Sequence, residues 1–343
     1  MTTPAVEMLR RALPHAYLAM MVGPWSKDVA ERDPLLDELL TCSFPGFSRK
    51  PKGSAIAPYS LLRETASWMR QGRYDAALVL RYDHWWGAMA AALAGIPVRV
   101  GYSVPECAPF LTHSIDPSTR SHWTEQGLNM VEQLLRIWRV GEASIQTQLP
   151  LRFSVADEDE REAGKLWAET ELVEDEVVAL HPGAGSPAKL WPEARWAELG
   201  STLAKRGLKV VITGSHTESA AAERLAQRIP GGRSIAGRTG FATLAAFYRR
   251  CRLVVGVDSG PLHLAVAVKT PTVHLFGPAD PAIYGPWGDP ELHRVVIASF
   301  AKPCGRLDLV PPEGISPPCM EGITVEQVIE ECELLLSKKV GRG

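Results

Sequence analysis

The stretch VVGVDSGPLHLAVAVKTPTVHLFG, residues 254–277, reads as a strand, a three-residue turn, a helix and a second strand. A β-branched apolar run ends at Asp258-Ser259-Gly260, a helical segment follows over 261–268, and TVHLF (272–276) returns to a strand pattern. Ser259 is placed to cap the helix, Gly260 lets the backbone approach a ligand, and Pro261 presets φ where no donor is needed. The first free N–H groups then point out of the sheet edge with the positive end of the helix dipole behind them, an arrangement suited to phosphate. His263 lies near enough to donate a further hydrogen bond. Taken alone, the same residues also read as an ordinary capped helix with His263 facing solvent.

The surrounding sequence extends the alternation. Strand-like VVALH (177–181), KVVIT (209–213), LVVGV (253–257), TVHLF (272–276) and VVIAS (295–299) are separated by helix-like segments at 192–206, 217–228, 241–251 and 261–268. That order calls for an α/β fold, a parallel sheet with helices on both faces whose ligands bind at the carboxyl ends of the strands. The first half repeats the pattern more weakly, with strands at 16–22 and 76–81 and helices at 58–71, 85–95 and 122–138. A chain of 343 residues exceeds the usual limit of one core. Two domains are expected, 1–150 and 151–343. The charged segment 154–172 reads as a solvated helix near the junction, and the final helix, 324–338, offers Val325, Val328, Ile329, Leu335 and Leu336 for packing back onto the first domain.

Composition narrows the function. A net charge of −2 with acids and bases interspersed gives no sign of a polyanion-binding surface, so nucleic acid is not an expected partner. The six cysteines contain no C-x-x-C pair and fit reduced thiols of an intracellular protein; Cys304 and Cys319 flank a Pro-rich loop and could pair if oxidised. The N-terminus lacks the basic-then-apolar order of a secretory signal, and the apolar run from Trp85 to Val98 is short and broken by Gly95 and Pro97. A cytoplasmic protein is expected, with peripheral association at the inner face of a membrane left open.

Two further loops leave the same edge of the second-half sheet. In HPGAGSPAKLWPEARW, Gly183, Ala184, Gly185 and Ser186 can wrap an oxyanion and Lys189 adds positive charge, although glycine at a strand-to-helix turn also has a purely local explanation. Two anion-suited loops meeting at one edge point to a diphosphate. In TGSHTESAAAERLA, Glu218 can accept from a ribose or simply sit in a first helical turn favoured by the dipole, the more ordinary reading. Asp157-Glu158-Asp159 has the D-x-D spacing of a metal site but stands in the first turn of a charged helix, where acids serve the dipole. No H-E-x-x-H and no Walker lysine loop is present, and Gly183 to Gly185 lacks the full dinucleotide fingerprint; no metal and no cofactor is expected.

Taken together, LHPGAGSPAKLWPEARWAELG, VVITGS, VGVDSGPLHLAVAVKTPTVHLFGPADPAIYGPWGD and the late Cys304…Cys319 resemble glycosyltransferase family nine, whose best-known members are ADP-heptose–lipopolysaccharide heptosyltransferases. The resemblance covers residues 180–335 specifically, and extends more loosely through TTPAVEMLRRALPHAYLAMMV and ALAGIPVRVGY. It implies a GT-B architecture, two Rossmann-like domains with parallel sheets and an inter-domain cleft. It also implies an ADP-sugar as donor and a glycan or lipid-linked acceptor. By motif match, Ser259, Gly260 and His263 would bind the pyrophosphate, Asp258 would shape the turn, Lys189 would neutralise the leaving ADP, and Glu218 would contact the ribose. Dipole, lysine and histidine would then stabilise the departing phosphate without a metal.

Transfer with inversion also needs a base, which the resemblance places on an Asp in a Gly-Asp loop just before the T-T-P-A helix. Here that helix opens the sequence, with Thr3 as expected N-cap, Pro4 as first helical residue and Val6, Leu9 and Leu13 on one face. Three explanations follow: a misassigned start or truncation, which is favoured; Asp83 in LRYDHWW serving as base; or a catalytically silent sugar-nucleotide-binding relative. Loss of a central strand would leave the first domain's sheet with exposed edges. Epimerisation of a sugar nucleotide on the same fold has no residue that specifically supports it. On the acceptor side, Arg81, His84, Trp85 and Trp86 are candidate contacts, the two tryptophans reading more simply as core residues at a helix start.

Overall fold

The computed structural model describes residues 1–45, 57–119, 121–140, 149–174, 176–299 and 316–338. The chain divides into two compact units, Met1–Leu149 and Pro150–Gly343.

The first unit contains, in order, α1 (Thr3–Ala12), β1 (Ala19–Val22), β2 (Glu38–Thr41), α2 (Ala57–Gln71), β3 (Ala76–Leu78), α3 (Trp85–Ala94), β4 (Val98–Tyr102), β5 (His113–Ile115) and α4 (Trp123–Ile137). Its strands are parallel throughout but form two sheets, β1-β2 and β3-β4-β5. Thr2, not Thr3, occupies the cap position of α1 and makes no capping side-chain bond, so the helix begins one residue earlier than its sequence suggests. Ala5, Val6 and Met8 of α1 are buried. Small residues let α1 lie close to α4, where a Cβ on Gly127 would stand 3.3 Å from that of Ala5. The alanine-rich α3 is buried through Trp86, Ala88, Ala90, Ala91 and Ala94. It ends at Gly95, whose φ of +79° is the left-handed conformation that glycine adopts without strain.

The second unit is the more regular. It runs α5 (Asp157–Glu169), β6 (Val177–His181), α6 (Glu193–Lys205), β7 (Lys209–Ile212), α7 (Ser219–Gln227), β8 (Arg233–Ser234), α8 (Phe241–Arg250), β9 (Leu253–Val257), α9 (Gly260–Ala267), β10 (Thr272–Phe276), β11 (His293–Ile297) and α10 (Val325–Leu336). All six strands are parallel, in the order β11-β10-β9-β6-β7-β8. Successive side chains of a strand face opposite sides of a sheet, and here both sides are buried. Val178 and Leu180 enter one core with Trp196, Leu199 and Leu203 of α6 and Leu225 of α7. Val177 and Ala179 enter the other with Ala163, Leu166 and Trp167 of α5, Phe247 of α8 and Leu262 of α9. Double-sided burial explains why these strands read as unbroken apolar runs; each fully buried Val or Leu contributes roughly 1.5–3 kcal/mol.

Three expectations are corrected here. The segment 154–172 is not merely solvated: α5 turns Ala163, Leu166 and Trp167 inward, Asp157 and Glu158 stay exposed, and the buried Asp159 accepts from the Ala156 N–H at 2.9 Å, an N-terminal cap. The final helix lays Val325, Val328, Cys332 and Leu335 into the core of the second unit. The last strand is His293–Ile297, two residues earlier than VVIAS suggested, because His293 and Arg294 pair with Thr272 and Val273. Cys304 lies outside the described residues, and no disulfide joins the described ones.

Candidate active site

The strand order fixes where a ligand can sit. From β6 the chain builds outward through β7 and β8, then returns to lay β9 on the other side of β6 and builds the opposite way through β10 and β11. β6 and β9 therefore flank the point where the winding reverses, paired with His181 opposite Gly256. Loops leaving the carboxyl ends of such a pair diverge to opposite faces of the sheet and leave a crevice between them. The two loops are the glycine-containing 182–192 and Asp258-Ser259-Gly260.

An ion pair ties them. Lys189 Nζ donates to Asp258 Oδ2 at 2.5 Å and approaches the Asp258 carbonyl at 3.4 Å. His263 Nε2 stands 3.7 Å from the other carboxylate oxygen, Oδ1. Burial by itself would raise the Asp258 pKa, but the imidazole of His263 and the ammonium of Lys189 outweigh it and leave the carboxyl below its ordinary range. Asp258 is thus more than a turn residue; it is the hub that holds a lysine and a histidine at one helix start.

Beside this cluster α9 begins. Ser259 occupies the N-cap position with extended φ and ψ, yet its hydroxyl makes no capping bond, contrary to the sequence expectation. Its Oγ is buried and without a partner among the described residues. The Leu262 and His263 amides turn back to the Ser259 carbonyl, at 3.2 and 3.5 Å, whereas the amides of Ser259 and Gly260 enter no backbone hydrogen bond among the described residues. A Cβ on Gly260 would meet nothing within 4 Å, so neither packing nor a positive φ demands glycine there. What a Cβ would obstruct is the approach of something else to the helix start. Two amides and the positive end of the helix dipole stand at that start, with the buried Ser259 hydroxyl beside them.

The first loop is shaped from within. Ser186 accepts from the Ala188 N–H at 3.3 Å and so starts the 3₁₀ turn Pro187–Lys189 that aims Lys189 at Asp258. Gly183 has a steric reason, since a Cβ there would lie 2.2 Å from Glu218 Oε1. Glu218 in turn accepts from the Ser215 N–H at 2.7 Å and its hydroxyl at 2.6 Å, closing the start of the helix after β7. The local capping role is therefore real, and it also parks the carboxylate against the Gly183 backbone at the crevice rim.

Histidines behind the site were not singled out from sequence. His274 on β10 faces His263, ring centroids 5.9 Å apart, and Thr272 Oγ1 lies 2.9 Å from His274 Nε2 and 2.8 Å from His293 Nδ1. Burial first, then the charges of His263 and His293, holds the His274 pKa well below the ordinary value. His181, buried at the end of β6, has its Nδ1 2.9 Å from Thr213 Oγ1 and its pKa pulled down to about 4 by burial. A histidine in an otherwise largely apolar strand, at the end of VVALH and in the middle of TVHLF, is the signal that marks both.

In the first unit, Asp83 sits in the turn before α3, where Arg81 grips it through two bonds of 2.6 and 3.2 Å. His84 packs edge-on against Phe44, and burial followed by the charge of Arg81 lowers its pKa to about 4. Trp86 is a core residue, 1% exposed, whereas Trp85 remains 39% exposed. Asp157-Glu158-Asp159 forms the first turn of α5, and among the described residues no group of three His, Cys, Asp or Glu side chains is arranged to hold a metal. No helix among the described residues is long and apolar enough to cross a membrane.

These features define an α/β protein of the Rossmann-like kind. Residues 63–306 match glycosyltransferase family 9 (heptosyltransferase), and the chain belongs to that family; it is a glycosyltransferase. It is 26% identical over 296 residues, 84% of this chain and 81% of the relative, to lipopolysaccharide heptosyltransferase 3 of Escherichia coli K12. Among solved structures it resembles the family 9 glycosyl transferase of Veillonella parvula, with a TM-score of 0.79 and 24% identity over 98% of this chain and 93% of that one. It also resembles E. coli ADP-heptose lps heptosyltransferase II, with a TM-score of 0.71 and 21% identity over 98% and 94%. The fold is GT-B, two Rossmann-like units built on parallel strands.

Proposed function

We propose that the protein transfers a heptose from an ADP-sugar to a lipopolysaccharide-like glycan acceptor, with inversion and without a metal. The observation that carries this reading is the Lys189–Asp258–His263 cluster beside the open amides of Ser259 and Gly260 at the winding reversal of the second sheet. A diphosphate seated there meets the dipole of α9, two backbone donors and an ammonium already held in position. As the glycosidic bond to phosphate breaks, negative charge grows on the leaving oxygen. Preorganised donors stabilise that charge more than they stabilise the ground state, which is how they lower the barrier. Lys189 and His263 supply here what a divalent cation supplies elsewhere. Gly183, Gly185 and Ser186 line the first loop for the phosphates, and Glu218 reaches the ribose from the rim.

Asp83 takes the part of general base in this reading, with Arg81 keeping its carboxylate oriented. That same grip favours a second reading, because a carboxylate held by a guanidinium through two bonds is a weak proton acceptor. The protein would then bind a sugar nucleotide without transferring it. Incubation with ADP-heptose and a heptose-deficient lipopolysaccharide, in EDTA, separates the two. The transferase reading expects a heptosylated acceptor with inverted anomeric configuration; ADP binding with no transfer would establish the silent one. Work at the inner face of a membrane, on a lipid-linked acceptor, accords with both the family and the expected cytoplasmic location.

A further inference from the structure

Beside the Lys189–Asp258–His263 cluster runs a separate chain of buried polar side chains. Tyr248 on α8, Thr213 just past β7 and His181 at the end of β6 are all buried. Tyr248 Oη lies 3.0 Å from Thr213 Oγ1, which lies 2.9 Å from His181 Nδ1. We propose that this chain fixes His181 as the Nε2–H tautomer and that Nε2–H donates a hydrogen bond to the donor nucleotide at the carboxyl edge of the sheet. The inference rests on the reading of that edge as a sugar-nucleotide site.

Counting protons leads there. Tyr248 has one hydroxyl proton and, among the described residues, Thr213 as its side-chain partner, so Tyr248 donates and Thr213 Oγ1 accepts. Thr213 then has one proton to give and two acceptors in reach. One is Nδ1 of His181 at 2.9 Å; the other is the Leu180 carbonyl at 3.3 Å, which already accepts the Thr213 backbone N–H at 2.9 Å. Nδ1 is nearer and has no other donor among the described residues. Accepting there leaves the imidazole proton on Nε2.

The opposite assignment, Nδ1–H to Thr213 and Thr213 to Leu180, satisfies the same atoms but leaves a bare lone pair on Nε2. That lone pair would sit in the field of the Glu218 carboxylate and face an incoming diphosphate, both negative. A proton on Nε2 is attractive to both. Nε2 has no hydrogen-bond partner among the described residues, on a side chain that is 5% exposed at the end of β6. Burial keeps the ring uncharged at neutral pH, so His181 acts as a neutral donor and adds no charge to the Lys189 cluster.

The test reads the tautomer and the contact separately. Ring-nitrogen NMR of the full chain, without nucleotide, is expected to show His181 protonated on Nε2, and Thr213→Val, nearly isosteric, is expected to lose that preference. In ADP titrations by calorimetry, His181→Gln, whose amide N–H falls near the Nε2 position, should stay within about threefold of the wild type. His181→Asn, which reproduces only the Nδ1 side, should bind about tenfold more weakly. An Nδ1–H tautomer in the wild type, or Gln and Asn variants that both bind like the wild type, would overturn the role of His181 while leaving the donor site standing. A wild type that does not bind ADP would overturn the donor site itself, and the His181 contact with it.

Discussion

Lys189 Nζ and Asp258 Oδ2 lie 2.5 Å apart although the residues are 69 positions apart in the chain. The contact joins the loop after β6 to the loop after β9 and makes one site of two strand ends. Its side chains are 20% and 8% exposed, so the pair is desolvated enough for each partner to matter to the other.

Replacing Lys189 by Ala is expected to lower turnover by about 10²–10³-fold, the range seen when one preorganised donor to a developing negative charge is lost. The far-UV circular dichroism spectrum should not change, because the β6–β9 pairing does not depend on the side chain. Thermal stability should drop as Asp258 loses its cation. Wild-type turnover in this variant would remove Lys189 from the mechanism.

Acid should weaken the fold through histidines before carboxylates. Burial holds His181 and His293 near pKa 4, against 6.5 when unfolded, so the unfolded chain binds more protons between those values and stability falls as pH drops from 6.5 toward 4. At pH 5 each costs on the order of 1–2 kcal/mol relative to pH 7. Asp258 works lower: its folded pKa is depressed, so its contribution is present above the unfolded carboxylate range and is lost only as pH falls through the depressed value. Denaturant melts at pH 7 and pH 5 check this, and His293→Asn should show a shallower dependence than the wild type.

Glu218 and Gly183 should be coupled. A Cβ at position 183 would meet Glu218 Oε1 at 2.2 Å, the far end of a flexible side chain, so Gly183→Ala should push the carboxylate off Ser215. Each single change, Gly183→Ala and Glu218→Ala, should cost about 1 kcal/mol of stability through the lost cap. The double variant should cost little more than either one, which denaturant titration of the four proteins would reveal. If Glu218 also holds the ribose, Glu218→Gln should erase any preference for ADP over 2′-deoxy-ADP; a preserved preference would confine Glu218 to capping.

Asp83→Asn should lower kcat by at least about 10²-fold with unchanged ADP affinity, if Asp83 is the base. Full activity in that variant would show that another group takes the acceptor proton.

Much of the second unit was legible because its strands are buried on both faces, which writes them as unbroken runs such as VVALH and LVVGV. The short strands of the first unit carried no such mark: Glu38–Thr41 is half-exposed, and its ELLT has neither alternation nor a β-branched run. Loop chemistry singled out the carboxyl edge at which Lys189 and Asp258 meet. What spacing could not show was pairing across it. Asp258 read as a turn residue because nothing in DSG announces a lysine 69 positions earlier. The Tyr248–Thr213–His181 chain was invisible for the same reason, its members lying on three elements that only the fold assembles. Ser259 shows the converse, a residue of ideal capping type at the cap position whose hydroxyl leaves the cap unmade beside two open amides.

The most direct measurement follows the backbone amide resonances of Ser259 and Gly260 during titration with ADP, with adenosine as control. The account expects both amides to shift strongly and saturably with ADP, to stay nearly still with adenosine, and to respond weakly in Lys189→Ala. ADP that binds while leaving both amides unmoved would contradict it, because the diphosphate would then lie somewhere other than the start of α9.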